Sequence, residues 1–191
     1  WSYLTWCGVS EEELAEIAAN PCPPGIIGLN YYVTGERFLD EGLEQYPATF
    51  HGGNGQHQYA DVEAVRVCAQ GLAGVGSLLR EAWERYHRPL ALTEVHLGST
   101  REEQLRWLAE VWKETGAARA AGVDIRALTV WSLLGSYNWN SLVTQDNDYY
   151  ESGVYDLRSP EPRPTALARA VESLTRQGSF DHPVLDLPGW W

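Results

Sequence analysis

Three short stretches of the chain are apolar almost throughout and rich in residues that favour strands. They are GIIGLNYYV at 25–33, LALTEVHL at 90–97 and IRALTVWSLL at 125–134. Continuous apolar runs of this kind, bounded by Gly, Pro or polar residues, are typical of strands that are buried on both faces. The pattern therefore predicts three buried strands.

Two helices are marked by capping signals. Ser10 is followed three residues later by Glu13, and Thr100 is followed three residues later by Glu103. In a capping box the hydroxyl accepts from the backbone N–H of the third helical residue, whose carboxylate reaches back to the N-cap. The sequence therefore predicts a helix after Ser10 and a long helix over 101–121, whose apolar residues recur at helical spacing.

The remaining segments complete an alternation of strands and helices. A helix interrupted by glycines is predicted over 61–86 and another over 164–176, whereas 35–59 is predicted to be an irregular glycine-rich loop. Apolar strands alternating with helices indicate parallel βα units in an α/β fold. A doubly wound sheet and a (βα)8 barrel both fit, but no glycine-rich phosphate-binding turn follows any strand, which disfavours a nucleotide-binding fold.

Charge and cysteine content exclude several classes of function. The 191 residues carry a formal net charge of -12, from 26 acidic and 14 basic side chains. Nucleic acids and anionic membranes require basic patches, so neither is an expected partner. The three cysteines lack any CxxC spacing, which predicts free thiols in a reducing cytoplasm and no metal site.

Polar and aromatic residues end all three predicted strands. The candidates are Asn30 and Tyr32 in the first, Glu94 and His96 in the second, and Trp131, Asn138 and Trp139 in or after the third. Catalytic groups of parallel barrels lie at the C-terminal ends of strands. A carboxylate, hydrogen-bonding groups and indole rings are what a sugar-cleaving site requires. Each residue alone has a structural explanation, and only their convergence indicates such a site.

The same three stretches resemble the last third of a family 1 glycoside hydrolase. NYY occurs in GIIGLNYYVTGERF, TE occurs in PLALTEVHLG, and VWSLL precedes a tryptophan in GVDIRALTVWSLLGSYNW. In that family the corresponding motifs are N-Y-Y on the sixth strand, T-E-N-G with the nucleophile on the seventh, and V-W-S-L-L-D-N-F-E-W on the eighth. The resemblance implies the C-terminal three βα units of a (βα)8 TIM barrel over 1–176, followed by a tail or linker over 177–191.

The resemblance also implies roles for the strand-end residues. Glu94 takes the place of the nucleophile. Asn30 and Tyr32 share one face of their strand and are expected to flank it, with the Tyr32 hydroxyl donating to its carboxylate. Strand alternation allows only one of Tyr31 and Tyr32 to face the barrel axis. Trp131 is expected to lie against the sugar in the cleaved subsite, and Trp139 is expected to line its outer edge. Asn138 stands where the family has a glutamate, and His96 where it has glycine.

The implied activity is retaining hydrolysis of glycosidic bonds without metal or organic cofactor. The acid/base carboxyl follows an Asn in this family, and the chain contains no Asn-Glu pair. The missing N-terminal part of the barrel is therefore an expected partner, and the chain alone is expected to be inactive. The alternatives are a non-catalytic sugar-binding or regulatory module and a purely structural domain. A closer resemblance is to bacterial proteins in which such a domain precedes a dTDP-4-dehydrorhamnose reductase-like domain.

Overall fold

The computed structural model describes residues 1–142 and 144–191. The strands are β1 (Ile27–Tyr32), β2 (Arg37–Asp40), β3 (His51–Gly53), β4 (Gln58–Glu63), β5 (Leu90–His96), β6 (Ile125–Val130), β7 (Ser136–Tyr137), β8 (Tyr150–Glu151), β9 (Tyr155–Asp156) and β10 (Arg163–Pro164). The helices are α1 (Ser2–Trp6), α2 (Glu11–Ala19), α3 (Ala64–Val67), α4 (Val75–Tyr86), α5 (Arg101–Ala120) and α6 (Ala166–Gln177). None of these helices is long and apolar enough to cross a membrane.

The three predicted strands form one parallel sheet in the order β1-β5-β6. Among the described residues, β1 and β6 each pair with β5 only, so both have a free edge. The third strand is shorter than predicted and ends at Val130. Beyond it, the carbonyls of Ser132 and Leu133 accept from the backbone N–H groups of Val154 and Tyr155, so the chain leaves the sheet to pair with a later segment.

Helices cover one face of this sheet. Leu92 and Val95 of β5 pack in one cluster with Val111 of α5, and further side chains of α4 join them. A second cluster joins α5 to α6. On the opposite face Ala127 and Thr129 are exposed. Helices cover both faces of a doubly wound sheet, but they cover only the outer face of the sheet in a barrel. Cover on one face therefore indicates that the chain has the α/β fold of part of a barrel.

The region after β1 differs from its prediction. The segment predicted to be an irregular loop contains β2 and β3, which flank β4 in an antiparallel sheet. Asp61, predicted to begin a helix, lies in β4 and accepts from Arg37 Nε at 2.8 Å. Ala60 and Val62 are buried on either side of it, a period-two pattern that favours a strand. The helical part of 61–86 is limited to α3 and α4.

The two predicted helix caps are present, one of them in part. Ser10 and Glu13 form the complete capping box of α2. Thr100 caps α5 by accepting from the backbone N–H of Glu103 at 3.5 Å. The Glu103 carboxylate accepts instead from Arg106 Nη1 at 2.7 Å. The reciprocal half of the second box is therefore replaced by an ion pair along the helix.

The C-terminal segment 177–191 packs against α5. Trp191 Nε1 donates to Glu110 at 2.8 Å, and its ring meets Trp107 edge to face at 5.2 Å. Arg106 Nε donates to the carbonyl of Val184 at 2.9 Å. The segment predicted to be a tail or linker is thus held to α5 at Val184 and Trp191.

Candidate functional site

Glu94 lies near the C-terminal end of β5, paired in register with Asn30 of β1. The Tyr32 hydroxyl donates a hydrogen bond to Glu94 Oε2. Partial burial, and then this bond to a carboxylate, raise the pKa of Tyr32, so the phenol remains a donor at neutral pH. The predicted contact between the two residues is confirmed.

An irregularity in the β1–β5 pairing sets the direction of Glu94. Leu29 pairs with Leu92 and Asn30 pairs with Glu94, so Thr93 is left without a partner. The Thr93 hydroxyl donates to Asn30 Oδ1 at 2.8 Å. Because Leu92 and Val95 both pack toward the helices, the extra residue leaves Glu94 outside that core.

Tyr31 and Tyr32 divide the two faces of β1 between them. Tyr31 is 7% exposed, stacks on Trp107 at 5.4 Å and donates to Glu36 Oε1 at 2.8 Å. Burial and then the bond to Glu36 raise its pKa. As predicted from strand alternation, one tyrosine packs in the core while the other reaches Glu94.

Trp131 and Trp139 form an aromatic surface in the segment that follows β6. Their ring centroids are 5.0 Å apart and their planes are tilted by 41°. The backbone N–H of Trp131 donates to the carbonyl of Val95 at 3.0 Å, which holds it next to the end of β5. The Trp131-Ser132 peptide bond is cis. Both rings are partly exposed, and the flat faces of such rings suit the C–H faces of sugars.

The Asn138 side chain braces the loop that follows it. Its Nδ2 donates to Asp146 Oδ1 at 2.8 Å, and its Oδ1 accepts from the backbone N–H groups of Asn147 and Tyr149, each at 3.1 Å. The residue has a positive φ of 50°, which Asn tolerates better than most residues. The sequence had not indicated this network, because the loop residues carry no motif.

His96 is turned away from solvent and meets Glu151 of β8. Its Nε2 lies 2.9 Å from Glu151 Oε1, and only 9% of the residue is exposed. Gln104 Nε2 donates to the same carboxylate oxygen at 2.9 Å. Glu151 was not identified from the sequence, because nothing in its local pattern shows that β8 returns to the end of β5. Within 1–142 and 144–191, no cluster of His, Cys, Asp or Glu has the arrangement of a metal site.

Solved glycosidases share this fold. No family model matches the chain, and no curated protein matches it. A β-glycosidase from Pyrococcus horikoshii is similar over 88% of the chain, with 22% identity and a TM-score of 0.60. The family 1 β-glucosidase from Thermotoga maritima is similar over 91%, with 16% identity and a TM-score of 0.62. The T. maritima β-glucosidase in complex with deoxynojirimycin gives 14% identity over 91% and a TM-score of 0.63.

These similarities establish the architecture. The chain spans 39% of the length of each of these structures. It therefore has the α/β fold of part of a TIM-barrel glycosidase, with three parallel strands of such a barrel and the helices outside them. Identities this low bear on the fold alone.

Proposed function

We propose that the chain supplies the nucleophile half of a retaining glycoside hydrolase, with Glu94 as the nucleophile. The observation that carries the proposal is the hydrogen bond from Tyr32 to the Glu94 carboxylate. A hydroxyl donor at this position orients the carboxylate and stabilises its charged form. The similarity to family 1 β-glucosidases in fold supports the same reading.

The proposed reaction proceeds in two balanced steps. Glu94 attacks the anomeric carbon and forms a glycosyl ester, while an acid group protonates the departing glycosidic oxygen. The same group then takes a proton from water, which attacks the anomeric carbon and releases Glu94 and the sugar. The Tyr32 hydroxyl faces a charged carboxylate before the first step and a neutral ester after it.

The acid/base carboxyl belongs to the part of the barrel that completes this sheet. Retaining enzymes place the two carboxyl groups about 5 Å apart across the scissile bond. That partner is proposed to face the uncovered side of β5, where Glu94 lies. We accordingly expect residues 1–191 alone to show no hydrolysis.

The sugar is proposed to stack on the surface formed by Trp131 and Trp139. Asn30 of β1 is exposed, and its amide is proposed to bind a sugar hydroxyl. Asn138 is proposed to donate to the sugar through its second amide N–H, because the first is bound to Asp146. His96 contributes through the ring nitrogen that does not meet Glu151.

A second candidate is a non-catalytic sugar-binding or regulatory module. Asn138 favours it, since an uncharged amide engaged by its own loop stands where the resembled family has a carboxylate for outer sugar hydroxyls. In this reading the module belongs to a bacterial cytoplasmic protein and is attached to a sugar-nucleotide reductase-like domain. The cysteines Cys7, Cys22 and Cys68 are free thiols, which suits a reducing compartment.

Labelling with an activated fluoroglycoside separates the two candidates. The fluorine slows both steps while a good leaving group restores the first, so the glycosyl ester accumulates. Mass spectrometry of the digested full-length protein should then find the sugar on the peptide that contains Glu94. The matched control is Glu94→Gln, which keeps the size of the side chain and should remain unlabelled.

Two results would decide against the proposal. Label on a different carboxylate would show that Glu94 is not the nucleophile. Tight binding of the sugar with neither label nor turnover would establish the non-catalytic module instead.

A further inference from the structure

Glu151 of β8 joins three elements at the C-terminal end of β5. β8 pairs with β7, and Glu151 lies opposite Ser136 in that pairing. The Oε1 atom of Glu151 lies 2.9 Å from His96 Nε2, and it also accepts from Gln104 Nε2 at 2.9 Å. One carboxylate oxygen therefore holds a side chain of β5 and a side chain of α5 to the hairpin of β7 and β8.

These contacts are shielded from solvent, and they fix the position of the His96 ring. His96 is 9% exposed, Gln104 is 5% exposed, and the side chain of Glu151 is 18% exposed. Gln104 is itself held, because its Nε2 also donates to the carbonyl of Ser99 at 3.3 Å. A buried polar group that loses its partner is costly, so the His96 ring should stay where its Nε2 meets the carboxylate.

The His96 ring lies beside Tyr32. The two residues are direct partners in the parallel pairing of β1 with β5. Their ring centroids are 6.3 Å apart and their planes are 84° apart, which is an edge-to-face contact. The Tyr32 hydroxyl donates to Glu94, which lies two residues before His96 on β5. Within the part of the chain that the structure describes, β1 pairs with β5 only, so β5 is the neighbouring strand that supports the Tyr32 ring.

We propose that Glu151 is a positioning residue for the pair of Tyr32 and Glu94. By holding His96, Glu151 keeps the Tyr32 ring where its hydroxyl donates to the Glu94 carboxylate. Glu151 acts through other side chains, and neither the sugar nor the proton transfers require it directly. The consequence for catalysis rests on the proposed function, whereas the consequence for the Tyr32 hydroxyl does not.

The proposed role requires an acceptor at Oε1 of Glu151 rather than a charge. Both contacts end on a single oxygen, and the carbonyl of a glutamine can supply an acceptor at the same place. Glu151→Gln should therefore preserve the position of the His96 ring. Glu151→Leu has a side chain of similar size without an acceptor, so it should release the ring.

The first test measures the rate at which the activated fluoroglycoside labels Glu94 in the complete protein. Glu151→Leu should slow the labelling about tenfold, the effect of weakening a hydrogen bond to a charged group, and Glu151→Gln should slow it less than about threefold. In a Tyr32→Phe background, Glu151→Leu should have little further effect, because the hydroxyl that it positions is already absent. The matched control is Glu103→Leu, since Glu103 pairs with Arg106 and its side chain is 19% exposed. It should change the rate little in either background.

Two results of the labelling test would overturn the proposal. If Glu151→Leu slowed the labelling by the same factor with and without the Tyr32 hydroxyl, Glu151 would act independently of Tyr32. If Glu151→Gln slowed the labelling as much as Glu151→Leu, the charge of Glu151 would matter rather than its position as an acceptor.

A second measurement follows the Tyr32 hydroxyl without any reaction. Partial burial, and then the bond to Glu94, raise the pKa of Tyr32 above its ordinary value of about 10. NMR of the complete protein with carbon-13 in its tyrosine rings measures this pKa, and Tyr32→Phe identifies the signal. Glu151→Leu should lower the pKa of Tyr32, because the hydroxyl leaves the carboxylate. His96→Leu should lower it as well, which provides a second variant if the first does not fold, whereas Glu103→Leu should leave it unchanged.

The two measurements separate this proposal from the proposed function. A pKa of Tyr32 that neither Glu151→Leu nor His96→Leu lowers would overturn the positioning role. An unlabelled Glu94 in the unaltered protein, together with a lowered pKa of Tyr32 in the variants, would reject the nucleophile and support the positioning role.

Discussion

At the scale of single residues, two adjacent tyrosines act on different carboxylates. Tyr32 donates to Glu94 on the uncovered face of the sheet, and Tyr31, which packs in the core, donates to the half-buried Glu36. Glu36 also accepts from the backbone N–H groups of Ala73 and Gly74, at 2.7 and 2.9 Å. The pair therefore provides two substitutions of identical chemistry, one at the proposed reacting group and one at a structural group.

Tyr32→Phe should lower kcat/KM of the complete protein about tenfold to a hundredfold, because a hydrogen bond to a charged group is lost. Its melting temperature should change little, since Tyr32 is only partly buried. The control Tyr31→Phe should do the reverse, with stability reduced by about 1 kcal/mol and kcat/KM preserved. Equal losses of activity in the two variants would remove Tyr32 from the mechanism.

Asp156 is a buried carboxylate whose charge should contribute to stability. It is 2% exposed, and hydrogen bonds from the side chain and backbone of Arg158, followed by that from Arg163, hold its pKa well below the usual range. A carboxylate with a lowered folded pKa stabilises the protein above its unfolded pKa near 4, and this contribution is lost as the pH falls further.

Asp156→Asn should therefore destabilise the protein at pH 7, and the difference from wild type should shrink in acid. Urea denaturation of both proteins at pH 7 and at about pH 3 measures this difference. The control is Asp181→Asn, since Asp181 is exposed. A constant difference across the two pH values would mean that Asp156 acts by packing rather than by charge.

At the scale of elements, the sequence predicted what periodicity and apolar runs can encode. The parallel strands and the helices α2, α5 and α6 lie where these signals placed them, within a few residues. The sheet of β2, β3 and β4 was not predicted, because glycines are typical of loops and because its short strands are partly polar. The ends of β5 and β6 depend on pairing with distant segments, which no local signal carries.

In the candidate site, too, some contacts could be predicted from the sequence and others could not. Glu94 and Tyr32 could be paired in advance, because both lie at strand ends, alternation lets only one of the two tyrosines face the carboxylate, and the family resemblance indicated that this is Tyr32. The contact between His96 and Glu151 could not, since it joins β5 to a strand of two residues. The loop contacts of Asn138 were equally hidden, because they depend on a left-handed backbone conformation.

The C-terminal tail should contribute to stability through one side chain. Trp191 contacts both Trp107 and Glu110 of α5, so Trp191→Ala should reduce the free energy of unfolding by about 2 kcal/mol. Trp1, which is 61% exposed, supplies the control, and Trp1→Ala should change the stability by less than about 0.5 kcal/mol. Urea denaturation monitored by circular dichroism compares the two, and equal effects would show that the tail is only loosely attached.

At the scale of the whole molecule, both edges of the parallel sheet are open among residues 1–142 and 144–191. A cleft of about 330 Å³ runs beside β1, lined by Leu29, Leu78, Ala82 and Tyr86 among others. One of about 310 Å³ lies beside β6, lined by Trp112, Ile125 and Leu128 among others. In a closed barrel every strand pairs on both sides and helices fill such clefts. The two clefts thus lie where adjoining βα units of a barrel would pack.

The isolated chain should therefore self-associate, because open strand edges beside apolar clefts pair with other chains. Size-exclusion chromatography with light scattering should find oligomers or aggregate for residues 1–191. Co-expression with the strands that complete the barrel should give a one-to-one complex. In that complex, hydrogen exchange should slow at β1 and β6, while the central strand β5, already paired on both sides, provides the internal control. A monomeric chain that hydrolyses glycosides without a partner would contradict both the open-edge argument and the assignment of the acid/base carboxyl to another part of the barrel.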